Sequence, residues 1–178
     1  MNARPQALLL AAALVVAVAC EPAGSASSGV TPSVSPLDPS NATFRIDGDT
    51  MTLVNGRAER EAAPGSATKV TTMLADPRTS GDVDGDGRPD TVVVLVYQPG
   101  GSGTFFYLAA LLNPTSGGTT TPAVLLGDRI KVTGLRLEGR AIVVDLLDRS
   151  AGQPFSVSPT VSATKRFVVD RGALIAQQ

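Results

Sequence analysis

The chain has 178 residues with 15 basic and 16 acidic side chains, a single cysteine and no histidine. Its formal net charge of −1 argues against nucleic acid as a partner, because binding to phosphates requires a clustered basic surface. The lack of histidine excludes Ser-His-Asp and Cys-His nucleophilic sites as well as histidine-ligated zinc.

The first 19 residues have the pattern of a secretory signal. Residues 1–5 carry one basic side chain, Arg4, and residues 7–19 form an apolar run of Ala, Leu and Val. That run is shorter than the ~20 residues of a transmembrane helix, and it ends in small residues, as a cleavage site requires. We therefore expect residues 1–19 to be removed on export, and an uncleaved membrane anchor is the less favoured alternative.

Cys20 follows Ala17, Val18 and Ala19 directly, at the end of the apolar run. These four residues resemble a lipobox, the processing site of bacterial lipoproteins, although that family prefers Leu at the position of Ala17. The resemblance implies diacylglycerol on Cys20, cleavage before it, and acylation of the new N-terminus with a fatty acid such as palmitate. Two or three acyl chains anchor a protein stably, since each buried CH₂ contributes about 0.8 kcal/mol.

The expected location is therefore the cell membrane or outer membrane, with the lipid on Cys20 as the membrane contact and the domain outside the cytoplasm. The alternative is ordinary secretion with an incidental cysteine. Residues 20–41 are rich in Pro and Ser and poor in large apolar side chains. Such a segment buries too little surface to offset the entropy of ordering it, so it is expected to be a disordered linker. Residues 42–178 then form one domain.

This domain is predicted to be mainly β, a single small antiparallel sandwich or curved sheet. Residues 91–97 are a continuous β-branched and apolar run, typical of a strand buried on both faces. Asn55-Gly56 is a strong signal for a tight hairpin turn. A short helix at residues 68–75 or 122–126 is the alternative for those two segments. The predicted strands are residues 50–54, 67–74, 91–97, 104–112, 122–126, 130–137, 141–147 and 161–169.

The most informative segment is an acidic loop directly before residues 91–97. Asp82, Asp84, Asp86 and Asp90 occupy even-numbered positions and are separated by glycine and other residues. Crowded carboxylates repel one another in water, and a hard divalent cation reverses that effect by accepting their oxygens as ligands. An EF-hand would need a glutamate at the twelfth loop position, where this chain has Val93.

The loop resembles the D-x-D-x-D-G-x-x-D calcium loop of FG-GAP repeats, in which a strand follows the loop directly. The resemblance implies that Asp82, Asp84, Asp86 and Asp90 are carboxylate ligands of a structural Ca²⁺ and that the Arg88 carbonyl is a backbone ligand. A propeller needs several such repeats and this chain has one, so the resemblance implies a metal site and not a propeller. The alternative is an Asp/Gly-rich surface turn that binds nothing.

A looser resemblance covers most of residues 43–170. Residues 99–107, residues 126–130 and the Asp148-Arg149 pair are similar to segments of a family of small exported bacterial proteins, in which a D-x-[DN]-G-D-G loop precedes them. This resemblance implies the boundaries of the fold and carries no activity.

The sequence thus favours a non-catalytic domain that binds an envelope protein or a glycan. The alternative is a small envelope hydrolase that uses carboxylates around Asp145 and Asp148, with Glu138 nearby. Two carboxyl groups about 5–10 Å apart in a pocket would favour the hydrolase. The chain contains only Phe and Tyr, and no Trp, for stacking against sugar rings.

Overall fold

The computed structural model describes residues 38–113 and 117–177. The predicted signal, Cys20 and most of the predicted linker lie outside the described residues. The prediction of a mainly β domain with antiparallel sheets is confirmed. Within the described ranges no helix has the length and apolar character needed to cross a membrane.

The described residues form twelve strands and one short 3₁₀ helix. Their bounds are η1 Pro39–Asn41, β1 Thr43–Ile46, β2 Asp49–Thr52, β3 Arg57–Glu61, β4 Lys69–Gly81, β5 Asp90–Gln98, β6 Phe105–Leu112, β7 Thr119–Thr120, β8 Val124–Asp128, β9 Lys131–Glu138, β10 Ala141–Asp148, β11 Val161–Asp170 and β12 Ala173–Gln177.

The strands form three antiparallel groups. A six-stranded sheet has the order β3-β4-β5-β6-β7, with β8 pairing β6 as well, and a four-stranded sheet has the order β12-β11-β10-β9. Strands β1 and β2 form a separate hairpin. Most consecutive strands are neighbours, as expected for short connections.

The middle of the six-stranded sheet, at β5 and β6, is buried on both faces. On β5, Val92 belongs to the apolar cluster shared with the four-stranded sheet. Its neighbours Val93 and Leu95 belong to a second cluster, shared with the β1–β2 hairpin. Successive side chains of a strand point to opposite faces, so a strand in the middle layer must be apolar at nearly every position. The prediction that residues 91–97 are buried on both faces is confirmed.

The turn at Asn55-Gly56 is confirmed too. Both residues have positive φ, 52° and 83°, and the main chains of Val54 and Arg57 exchange hydrogen bonds of 2.9 and 3.2 Å across it. These are the features of a two-residue turn of the kind found in hairpins, but β2 and β3 belong to different sheets and only Val54 and Arg57 pair across the turn.

Several expectations differ from the structure. The helices considered for residues 68–75 and 122–126 are wrong, since those residues lie mainly in β4 and β8. β4 extends to Gly81, well beyond the predicted end at residue 74. The prediction stopped early because the second half of the strand is polar and carries no apolar run. β1, β3, β7 and β12 have no counterpart among the predicted strands. At the end of the predicted linker, Pro39–Asn41 form η1, Pro39 is buried, and Ser40 accepts a 2.8 Å hydrogen bond from Gly56 N.

Candidate metal centre

The acidic loop joins the two longest neighbouring strands of the six-stranded sheet. β4 ends at Gly81 and β5 begins at Asp90, so residues 82–89 connect them. Val83 is fully buried in the core between the sheets, while its neighbours Asp82 and Asp84 are half-buried. The apolar side chain thus anchors the loop and leaves the carboxylates on either side of it at the surface.

The structure brings three of the predicted ligands together. Asp82, Asp84 and Asp86 each offer one carboxylate oxygen, and these oxygens lie within 4.8 Å of one another. At about 4 Å, two like charges repel by about 1 kcal/mol in bulk water and by about 4 kcal/mol near a protein surface. A donor set of oxygens alone suits hard cations such as Ca²⁺, which takes carboxylate, carbonyl and water oxygens.

The carboxylates also fix the shape of the loop. Asp82 accepts hydrogen bonds from Gly85 N at 2.6 Å and from Gly87 N at 3.0 Å, one on each oxygen. Asp84 and Asp86 each accept one from the amide two residues further on, at 3.0 and 2.8 Å. A carboxylate oxygen has more than one lone pair. These bonds therefore preorganise the three groups without using up their capacity as ligands.

Asp90 lies outside this group of three. It is 1% exposed, and its two oxygens accept hydrogen bonds from Val83 N and Asn113 N, both at 2.9 Å. Burial raises the pKa of this carboxyl, and the two amide hydrogen bonds act in the opposite direction. Asp90 thus ties the base of the loop to the end of β6.

The other predicted ligand, the Arg88 carbonyl, stays a prediction. The Arg88 main-chain amide is the donor to the Asp86 carboxylate, at 2.8 Å, so this residue takes part in the ordering of the loop. Its side chain is half-buried.

A neighbouring arginine that sequence reasoning missed also contacts the loop. Arg140, in the turn between β9 and β10, donates a hydrogen bond to the main-chain oxygen of Asp84. A Cβ atom on Gly85 would lie only 2.6 Å from Arg140 Cζ, and Gly85 has a φ of +88°. Arg140 therefore links the loop to the four-stranded sheet and places one positive charge beside it. Because 56 residues separate Arg140 from Asp84, no local sequence pattern signals this contact.

The carboxylates considered for a hydrolase lie elsewhere, and two of them, Asp145 and Glu138, have arginine partners. On the four-stranded sheet, Arg136 contacts Asp145 and lies 3.2 Å from Glu138, and Arg166 lies 2.7 Å from Glu138. The pKa of Asp145 is lowered by the hydrogen bond from Thr164 and then by Arg136. The pKa of Glu138 is lowered chiefly by Arg166. A general acid needs a raised pKa, so both shifts have the wrong direction for that role.

Asp148, the third carboxylate of that alternative, is the last residue of β10, and Arg149 holds the loop that follows it. Its Oδ1 accepts a 2.7 Å hydrogen bond from Arg149 N. The Arg149 guanidinium donates to the carbonyl oxygens of Val157 at 2.6 Å, Arg129 at 2.7 Å and Phe155 at 3.3 Å. This arrangement orders the loop that follows β10.

No protein-family model, no curated protein sequence and no solved structure matches this chain. The resemblances to a lipobox, to the FG-GAP calcium loop and to small exported proteins therefore stay predictions.

Proposed function

We propose that the protein is a lipid-anchored lipoprotein of the cell envelope whose β domain is non-catalytic, holds one structural Ca²⁺ and binds an envelope protein or a glycan. The observation that carries the metal site is the convergence of the Asp82, Asp84 and Asp86 carboxylates within 4.8 Å. The amide hydrogen bonds within the loop support it, because they hold the three groups in place in advance of binding.

The calcium ion would act on the fold and not on a substrate. It would neutralise the mutual repulsion of the three carboxylates at the connection between β4 and β5, two neighbouring strands of the six-stranded sheet. Extracellular calcium modules bind with a Kd of about 10⁻⁴–10⁻³ M. A ligand that binds only the folded state stabilises it by about 2.7 kcal/mol when its concentration is 100 times the Kd.

Calcium binding is tested by the melting temperature of the purified chain in millimolar Ca²⁺ and in chelator, together with titration calorimetry. We expect Ca²⁺ to raise the Tm of the unaltered chain and to have little effect on Asp86→Asn, which removes the most exposed of the three carboxylates. Asp145→Asn is the matched control, since it removes a carboxylate that has an arginine partner, and it should keep the full response. Equal Tm values in calcium and chelator, with no heat of binding, would contradict the site.

The lipid anchor is supported by the apolar run of residues 7–19 and by the position of Cys20 at its end. We expect the unaltered protein to sediment with membranes and Cys20→Ser to be released from them. Mass spectrometry should show a mature N-terminus at Cys20 carrying acyl chains. An intact Met1 or an unmodified thiol would contradict the anchor, and neither result would affect the calcium test.

A binding role is supported over hydrolysis by the ion pairs of Asp145 and Glu138, which hold both carboxyls in the charged form. Co-precipitation from native envelopes, with binding to isolated cell-wall glycan measured in parallel, would distinguish a protein partner from a glycan. Hydrolysis of envelope glycans that is lost in both Asp145→Asn and Asp148→Asn would instead establish the hydrolase.

A further inference from the structure

Two edge strands of this domain differ in their protection against pairing with other chains. β3, at one edge of the six-stranded sheet, has charged side chains at four of its five positions, including Arg57, which lies 2.8 Å from Glu59. β12, at one edge of the four-stranded sheet, reads Ala-Leu-Ile-Ala-Gln and has no charge and no proline. Proteins commonly use charges, prolines or bulges to block exposed edges, and β12 has none of these.

The backbone of β12 presents free hydrogen-bonding groups in a regular pattern. Residues 171–172 form a two-residue turn in which both φ angles are positive, so Asp170 and Ala173, which face each other, form the hydrogen-bonded pair that closes it. Hydrogen-bonded and non-hydrogen-bonded positions alternate along an antiparallel pair. The amide and carbonyl groups of Leu174 and Ala176 therefore point away from β11. Among residues 38–113 and 117–177, β11 is the only strand that pairs with β12.

We propose that two copies of this chain pair through β12 in antiparallel orientation, with Ile175 on the two-fold axis. In this register Leu174 of each copy exchanges hydrogen bonds with Ala176 of the other copy. The outer edge of β12 is therefore complementary to the same edge of a second copy. A symmetric dimer interface requires such self-complementarity. The two four-stranded sheets then become one continuous sheet of eight strands.

Ile175 supports the same register. It is 48% exposed and faces Val168 on β11 across the outer surface of the sheet. At the two-fold axis it opposes its own copy as a non-hydrogen-bonded pair, the kind in which Cα atoms approach to about 4.5 Å and side chains are closest. Dimerisation thus covers an isoleucine that is otherwise half in water.

The interface formed by two β12 strands is small, so the affinity of the dimer should be low. A stable interface buries roughly 800 Å² on each partner, more than one five-residue strand provides. The dimer should therefore be reversible and should dissociate on dilution. Anchoring to a membrane would raise the local concentration of the domain and favour pairing, but pairing through β12 does not depend on the anchor.

Disulfide cross-linking tests the register directly. In the full chain with Cys20→Ser, we introduce Ile175→Cys as the sole thiol and oxidise with oxidised glutathione. Cα atoms about 4.5 Å apart are within the range of a disulfide, so we expect a covalent dimer. Val54→Cys is the matched control, since Val54 is 65% exposed and lies far from β12 in sequence, and it should remain largely monomeric. Equal cross-linking of both variants, or of neither, would overturn the proposal.

Sedimentation equilibrium tests the dimer without an engineered thiol. We expect the unaltered chain to dimerise as its concentration rises and Ile175→Lys to weaken dimerisation roughly tenfold or more, because like charges directly opposite each other destabilise strand pairing. Leu125→Lys is the control, since Leu125 on β8 is 49% exposed, and it should dimerise like the unaltered chain. A monomer at every concentration, or equal weakening by both lysines, would show that β12 is not a self-pairing edge.

Discussion

The acidic loop and the outer surface of the four-stranded sheet both concentrate carboxylates, but their charges are balanced differently. On the sheet, Asp145 and Glu138 contact the guanidinium groups of Arg136 and Arg166. In the loop, three carboxylates converge on one another, and the nearby Arg140 donates to a main-chain oxygen. The acidic group is a carboxylate in both regions. This contrast supports the proposal that the loop, and not the sheet, binds an added cation.

Asp90 is buried and accepts two main-chain hydrogen bonds, whereas the other three loop carboxylates converge on one another, and the loss of Asp90 should have the largest effect. Asp90→Ala leaves the buried amides of Val83 and Asn113 without their acceptor, and each unsatisfied donor costs about 1–3 kcal/mol. We expect the free energy of unfolding to fall by about 3 kcal/mol in urea denaturation. Because this role is structural, the loss should be similar in calcium and in chelator.

Asp90→Asn serves as the control for this prediction, because its amide oxygen can still accept one of the two hydrogen bonds. It should cost less than Asp90→Ala. If the loss in Asp90→Ala appeared only in the presence of calcium, Asp90 would belong with the ligands and not with the framework.

The sequence predicted the buried strand and the cluster of aspartates, but not the contacts that depend on how the strands pack. The apolar run of residues 91–97 predicted a strand buried on both faces, because such a strand has no polar side; the third layer, the β1–β2 hairpin, was not predicted. The spacing of the aspartates predicted a cluster of carboxylates, but it gave no reason to distinguish Asp90 from Asp82, Asp84 and Asp86. Only the fold shows that the end of β6 brings Asn113 N to Asp90. The contact of Arg140 depends in the same way on the packing of the two sheets.

The contact between Arg140 and the loop can be measured with a matched pair of glycines. Gly85 and Gly87 both have positive φ, +88° and +81°, but a Cβ would meet Arg140 only at Gly85. Substitution by alanine at a left-handed position costs on the order of 1–3 kcal/mol. We expect both variants to be destabilised in thermal or urea unfolding, and Gly85→Ala to be destabilised more than Gly87→Ala.

The difference in unfolding free energy between Gly85→Ala and Gly87→Ala tests whether the Arg140 guanidinium lies against Gly85. In an Arg140→Ala background the two substitutions should cost nearly the same, because the side chain that the new methyl group meets is gone. An excess cost of Gly85→Ala that persists there would assign the effect to the backbone of the loop alone.

The smallest effect concerns the ion pairs on the sheet and appears as pH dependence. The pKa values of Asp145 and Glu138 are lowered in the folded chain, so these carboxyls contribute stability above their unfolded pKa values of about 3.9 and 4.3. That contribution is lost as the pH falls through the lowered folded values. Asp145→Asn should therefore narrow the difference in Tm between pH 7 and pH 3, and added salt should reduce the effect, since exposed ion pairs are screened. A difference in Tm between pH 7 and pH 3 that Asp145→Asn leaves unchanged, or that does not respond to salt, would contradict the contribution of these ion pairs.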